Sequence, residues 1–309
     1  ACSYYNAEED AIGLGADIRG SGLKRINNSI DIIVDDESEL ACMNIHGSEL
    51  FFLNYCTTNN IRPFVISISK DLEVTGKVLD YCFISGGNQP AIAILYEIGT
   101  LPLGHVKENP NNCSVALFAI DLIQQKLIKL WTKEKLPYNS FKLMPLKHSA
   151  FQGGMLLITM NGIILFNRDY ISVIGTNAFF YISPQITNQC ELESNTIQDA
   201  IEFDNSSWLE ISEFLYIASL KNGKILLLHL NIGDALHWSK TKIAISYLGV
   251  GVKSTSISKN TSCTLCFFGG GTSYSVLFAM KCNSNHSHSI KNIIKDENVS
   301  SKRKKLETG

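Results

Sequence analysis

Sustained helical periodicity, a membrane-length apolar stretch and a strong net charge are all missing from this 309-residue sequence. Each absence removes a class. Without a repeated 3.6-residue apolar pattern, helix bundles and doubly wound α/β folds are excluded; the best helical candidate, 195–203 (NTIQDAIEF), is short. No run approaches the roughly 20 apolar residues that a membrane-spanning helix needs, and nothing reads as a signal peptide. Charged residues make up 18% and the formal net charge is −2. So weak a field gives no strong non-specific attraction to a phosphate backbone, and nucleic-acid contact would need a local basic patch. The chain opens ACSYYNAEED without a methionine and stops at KKLETG in mid-tail, which reads as a piece of something longer.

Catalytic signatures are missing as well. There is no GxSxG, no HExxH and no Cys–His signature. A phosphate loop needs GxxxxGK[ST], and no Lys-Ser or Lys-Thr follows Gly269, Gly270 and Gly271. GLGADIRGSG supplies Gly13 and Gly15 but places Ile18 where a dinucleotide fingerprint needs its third glycine. The carboxylates of DDESE (35–39) read as a solvated strand edge or loop, and His46, His148 and His229 as core or surface filler. The expectation is a non-enzyme without cofactor or metal.

Nine cysteines, an odd number, cannot all pair internally. Cys42, Cys82 and Cys266 sit in apolar runs, where a reduced cysteine behaves as a small hydrophobe, so a reducing compartment is expected. Cys263-x2-Cys266 followed by Cys282-x3-His286 has zinc-like spacing. SCTLCFF nevertheless reads as a strand, on which residues three apart face opposite sides and both sulfurs cannot reach one ion. His286 and His288 then read as solvated loop residues.

What the sequence does contain is short strands. IDIIV (30–34), ACMNI (41–45), LFFLNY (50–55), FVISIS (64–69), AIAILYE (91–97), SVALFAIDL (114–122), GMLLITM (154–160) and IILFN (163–167) are bounded by Gly, Asn, Asp or Ser. Asn161-Gly162 and Asn222-Gly223 join apolar runs and predict type I′ hairpin turns; NIHGSEL (44–50) is a weaker third. SCTLCFFGGGTSYSVLF (262–278) reads as another hairpin. Such spacing leaves a sandwich pair, a barrel or a propeller. At about 40–45 residues per four-stranded antiparallel blade, the chain would supply six or seven blades, without the Trp-Asp repeat of WD40 chains.

The expected division is a poorly assigned segment 1–29, β-propeller blades over 30–282, and a polar, basic loop or tail over 283–309. That tail holds one basic run, Lys302, Arg303, Lys304 and Lys305, a candidate for nuclear import or phosphate contact.

KVLDYCFISGGNQPAIAILYE (77–97) resembles a pattern of the large β-propeller scaffolds, carried by Leu79, Asp80, Phe83, Gly86, Pro90, Leu95 and Glu97. That family holds the large subunit of cleavage and polyadenylation specificity factor, the large damaged-DNA-binding protein and the propeller subunit of splicing factor 3b. FQGGMLLITMNGIILFN (151–167), SEFLYIASLKNGKILLLHL (212–230) and CFFGGGTSYSVLF (266–278) are similar to later segments in the same order, although Gly270 and Ser273 depart from the last. The polyadenylation branch fits best, through 111–146 with Trp131, Leu136, Pro137 and Tyr138.

The resemblance implies the first propeller of a nuclear, non-catalytic scaffold for mRNA 3′-end cleavage and polyadenylation. Its implied partners are a WD40-repeat subunit and a CCCH zinc-finger subunit, with pre-mRNA reached mostly through them and no membrane. The alternatives are a ubiquitin-ligase adaptor of the damaged-DNA-binding type and a direct RNA-binding module.

Overall fold

Apolar runs that fail to alternate need burial on both sides, and stacked sheets supply it. The computed structural model describes residues 32–45, 47–55, 62–74, 76–84, 89–99, 111–147, 153–180, 191–192, 200–231, 241–250, 254–259, 265–270 and 276–279. The chain divides into two units, Ala1–Asp204 with Leu230–Ala244, and Asn205–His229 with Ile245–Gly309.

The first unit holds three four-stranded sheets. They are β1 (Ile32–Asp35), β2 (Leu40–Ile45), β3 (Glu49–Asn54) and β4 (Phe64–Ser67); β5 (Lys77–Ile84), β6 (Ala91–Glu97), β7 (Cys113–Asp121) and β8 (Lys126–Leu136); and β9 (Ser140–Pro145), β10 (Met155–Thr159), β11 (Gly162–Phe166) and β12 (Ile171–Gly175). Chain order is spatial order in each, and every pairing is antiparallel. The opening strands lie beside one another, β1 by β5 and β5 by β9, as the inner strands of propeller blades do. A two-residue strand, β13 (Glu191–Leu192), adds a parallel pair with Lys242 and Ile243 that departs from the antiparallel expectation.

Two apolar layers fill the spaces between these sheets. Leu40, Cys42, Leu50 and Phe52 of the first sheet meet Tyr81, Phe83, Ile92 and Phe118 of the second. Cys82, Leu95, Val115 and Leu117, on the second sheet's other face, meet Leu143, Leu157, Ile164 and Phe166 of the third. β7 is buried at every residue but Asp121, and β10 and β11 throughout, which is why SVALFAID, MLLIT and GIILF show no polar alternation.

The second unit holds β14 (Ser207–Ser212), β15 (Leu215–Ser219) and the larger parts of β16 (Lys224–Asn231) and β17 (Lys242–Val250), in the sheet order β17–β16–β15–β14. β18 (Ser254–Lys259), β19 (Leu265–Gly270) and β20 (Val276–Ala279) form an antiparallel three-stranded sheet. Within 262–278, the described strands β19 and β20 pair antiparallel as the arms of the expected hairpin, with Cys266 and Phe268 buried against Ile211, Ile217 and Leu227. The described residues make five sheets in all.

Local chemistry corrects several details. The run 64–69 stops being a strand at Ser67, because the Asp71 carboxylate accepts the Ser67 N–H at 2.8 Å and closes one helical turn, α1 (Ile68–Asp71), that drops Ile68 into the core. The described end of the expected helix 195–203, Ala200–Phe203, is not helical: Ile201 N–H donates to the Thr176 carbonyl and Phe203 N–H to that of Met160. Residues 195–199 lie outside the described residues.

Both Asn-Gly hairpins form, but neither through a type I′ turn. At the second, Lys221, Asn222 and Gly223 make a three-residue loop in which Gly223 alone is left-handed, at φ +83°. At the first, Thr159 pairs with Gly162, so Met160 and Asn161 make the turn, and no residue there has positive φ. Gly162 is needed for room instead. It pairs with Gly175 across β11 and β12, and the ring of Phe180 lies on the shelf that the two glycines leave. A Cβ at 162 would collide with that ring and come within 2.5 Å of the Ile174 carbonyl oxygen. Gly162→Ala is therefore expected to cost about 2–4 kcal/mol in urea unfolding. Combining it with Phe180→Ala should recover part of the loss, and a strictly additive double-mutant cycle would refute the shelf.

Candidate docking platform

A β-bulge decides where the buried charge goes. In β5, Val78 pairs with Tyr96 and Asp80 with Leu95, leaving Leu79 as the extra residue. Beyond the bulge, neighbouring side chains reach opposite neighbours. Tyr81 turns to the first sheet, where its hydroxyl oxygen accepts the Asn44 N–H at 2.9 Å. Asp80 turns to the third, where its carboxylate accepts the Leu143 N–H at 2.6 Å and the Lys142 ammonium at 3.1 Å. Burial pushes the Asp80 carboxyl above the ordinary carboxylate range, while the Lys142 charge and the Leu143 N–H pull the other way. Neither the Lys142 ammonium nor the Leu143 N–H is a nucleophile or a second acid. The chemistry of Asp80 is that of a latch between sheets.

Cys42, Cys82 and Cys266 are buried outside any disulfide, as expected for small hydrophobes, and so is Cys113. Burial raises the Cys42 and Cys82 thiols far above their usual range, so they are poor nucleophiles and poor ligands. Among the described residues no group of three His, Cys, Asp or Glu side chains could hold a metal ion. Cys263, Cys282, His46, His148, His286, His288 and the basic run Lys302, Arg303, Lys304 and Lys305 lie outside the described residues.

One end of the third sheet is built differently from a loose set of loops. The Met160–Asn161 turn is laced on both sides by backbone hydrogen bonds. Met160 N–H donates to Asn139, Phe203 N–H to Met160 and Thr176 N–H to Asn161. Asn177 then ties the cluster crosswise, donating to Asn161 Oδ1 at 2.9 Å and to the Ile201 carbonyl at 2.8 Å. The same residue's Oδ1 accepts the Phe179 N–H at 2.9 Å, and Asn161 Nδ2 donates to the Phe179 carbonyl at 3.4 Å. With Phe180 seated on the glycine shelf, Phe179 is held 83% exposed on a fixed backbone. An aromatic ring presented without loop entropy to lose suits protein docking. No cation lies in the described connections 137–139, 160–161, 176–180 and 200–204, whereas Glu202 and Asp204 do.

The second sheet ends in a contrasting strand. β8 carries Lys126, Lys129, Lys133 and Lys135 against Glu134, with two register shifts along its pairing to β7. Lysines and bulges on an outer strand deter pairing with stray strands. Trp131 turns inward instead, edge-on to Phe166 at 6.3 Å. This basic edge, KLIKLWTKEK, was not singled out in the sequence, because its charges are spaced by apolar residues rather than run together like those of 302–305.

No family model matches the sequence. A search of curated proteins finds 26% identity over 192 residues with "Cleavage and polyadenylation specificity factor subunit 1" of Drosophila melanogaster. The chain is similar to a polyadenylation-factor subunit. The match takes in 54% of this chain and 12% of the factor subunit's length. Similarity to the polyadenylation-factor subunit agrees with the branch expected from Trp131, Leu136, Pro137 and Tyr138. In the structure Leu136 is buried, the Pro137 carbonyl accepts both the backbone N–H and the hydroxyl of Ser140, and the Tyr138 carbonyl receives the Cys113 thiol.

Removing the latch should be measurable. Asp80→Ala leaves the Leu143 N–H without its acceptor and is expected to cost about 2 kcal/mol; Lys142, whose side chain is 42% exposed, returns to water and adds little. Because the folded-state value of Asp80 is raised, its contribution is complete below the unfolded value and declines as pH climbs through the folded one. Wild type should thus gain on Asp80→Asn as pH is lowered, in paired urea titrations across the acid range. Maleimide should leave Cys42 and Cys82 unmodified in the native chain and label both in denaturant, read by peptide mass spectrometry.

Proposed function

We propose that this chain is part of a non-catalytic propeller scaffold in the mRNA 3′-end cleavage and polyadenylation machinery, acting in the nucleus. The similarity to the polyadenylation-factor subunit carries this reading, and the structure supports it. Stacked antiparallel sheets with buried polar latches make a rigid body whose loop ends are free to present side chains. The scaffold docks other subunits, a WD40-repeat protein and a CCCH zinc-finger protein, and meets pre-mRNA mostly through them. The loop platform with Phe179 is one such docking point. The basic run Lys302, Arg303, Lys304 and Lys305 acts as a nuclear-import patch or touches phosphate.

The test is affinity purification of the natural polypeptide from nuclear extract. Recovery of the WD40-repeat and CCCH subunits is the expected result; their absence, or cullin scaffolds in their place, would overturn the assignment. Phe179→Asp should weaken that association about tenfold or more without lowering the melting temperature. Glutamine at all four positions of the basic run should leave a fluorescent fusion outside the nucleus or, failing that, weaken RNA retention at low salt.

A further inference from the structure

Asn-Gly pairs are special chemically as well as conformationally, because glycine leaves the peptide nitrogen after the asparagine open to the asparagine's own side chain. That nitrogen can close a five-membered ring on the amide carbon, which makes asparagine before glycine among the least durable side chains. The sequence holds two such pairs, Asn161-Gly162 and Asn222-Gly223. The structure treats them oppositely.

Asn161 is buried, and its amide is held at both ends. Oδ1 accepts from Asn177 Nδ2 at 2.9 Å, and Nδ2 donates to the Phe179 carbonyl at 3.4 Å. Gly162 beside it is fixed in the pairing of β11 with both β10 and β12. Ring closure would have to pull the amide from two partners while a ladder residue left its register. Groups held in this way react only after local opening.

Asn222 is exposed at the tip of the β15–β16 loop. Its Oδ1 accepts the Lys224 N–H at 3.0 Å, which folds the side chain back over the Gly223 peptide in an Asx turn. Among the described residues nothing holds Nδ2, the group that must leave. The Lys224 N–H meets the oxygen on which charge gathers when the Gly223 nitrogen adds to Cγ, as an oxyanion donor does. Lys221 and Lys224 flank the pair, and cations there favour the deprotonated nitrogen that the addition needs. One backbone bond opposes it, from the Gly223 N–H to the Leu220 carbonyl at 2.9 Å, at a loop tip where opening is easy.

We infer that Asn222 is a site of spontaneous deamidation in the folded protein, and that the Asn161–Asn177 crosslink spares the other pair. The Gly223 nitrogen gives its proton to hydroxide and bonds to Asn222 Cγ; the Cγ–Nδ2 bond breaks, and Nδ2 takes a proton from water and leaves as ammonia. Water then opens the succinimide at either of its carbonyls. One opening gives aspartate, the other isoaspartate, in which the main chain runs through the former side chain. A water is consumed and an ammonia released, with no oxidation. Isoaspartate lengthens the backbone of the β15–β16 loop and sets a carboxylate between two lysines, so this hairpin records the age of the molecule.

The natural polypeptide, incubated in warm, mildly alkaline buffer, reports on both pairs through peptide mass spectrometry, with isoaspartate told from aspartate by its backbone fragments. Conversion of Asn222 should run at least about tenfold faster than that of Asn161 in the native state, and the two rates should agree within about threefold in denaturant. Equal native rates, or two pairs that both stay intact until denaturant is added, would overturn the inference. Gly223→Ala should slow conversion at 222 about tenfold or more, since alanine crowds the attacking nitrogen and resists φ +83°. An unchanged rate there, with aspartate as the sole product, would mean direct hydrolysis and would also overturn it. Asn177→Ala should speed conversion of Asn161 at least about tenfold and leave Asn222 as it was; no acceleration would refute the protective role of the crosslink.

Discussion

Everything in the first unit depends on β5 holding both of its neighbours. Sheet-on-sheet packing is driven by apolar contact, which is strong but has no direction of its own. Two polar contacts from successive residues supply direction. Tyr81 accepts a backbone N–H from the first sheet, and Asp80 accepts one from the third. The bulge at Leu79 is what allows this, because it resets the alternation just before the two residues. Apolar layers give the energy of stacking, and the polar pair gives its alignment.

The architecture was largely legible in the sequence because it is made locally. Each of the first three sheets uses four consecutive strands, so hairpin signals and short apolar runs were enough to expect blades. The reading failed where side chains overrule local preference. Ser67 and Asp71 ended a strand that apolar content alone would have continued. Asn161-Gly162 marked a hairpin, but the glycine was fixed by Phe180, a residue eighteen positions away, and no turn rule contains that contact. The stretch 195–203 had helical spacing, yet Ile201 was claimed as a hydrogen-bond donor by Thr176, at the end of β12, and Phe203 by Met160, in the turn before β11.

The candidate platform was less legible than the fold. Asp80 was singled out by resemblance, while its role required knowing which sheet faced it. Asn161 was read only as a turn former; its amide turned out to be half of a crosslink with Asn177. Phe179 gave no signal at all, since an exposed aromatic and a core aromatic are the same letter in a strand-rich sequence. Cys42, Cys82 and Cys266 were read correctly as small hydrophobes, because apolar surroundings are a local property and burial followed from them.

The connectivity of the sheets bears on synthesis. A sheet assembled from neighbouring strands can take shape as soon as its last strand leaves the ribosome, without waiting for distant chain. Yet each such ribbon stays marginal until the following one covers it, as in other stacked repeats. The emerging polypeptide must therefore always carry one raw flank, and the interval during which that flank is bare is set by translation speed rather than by any slow rearrangement of the chain.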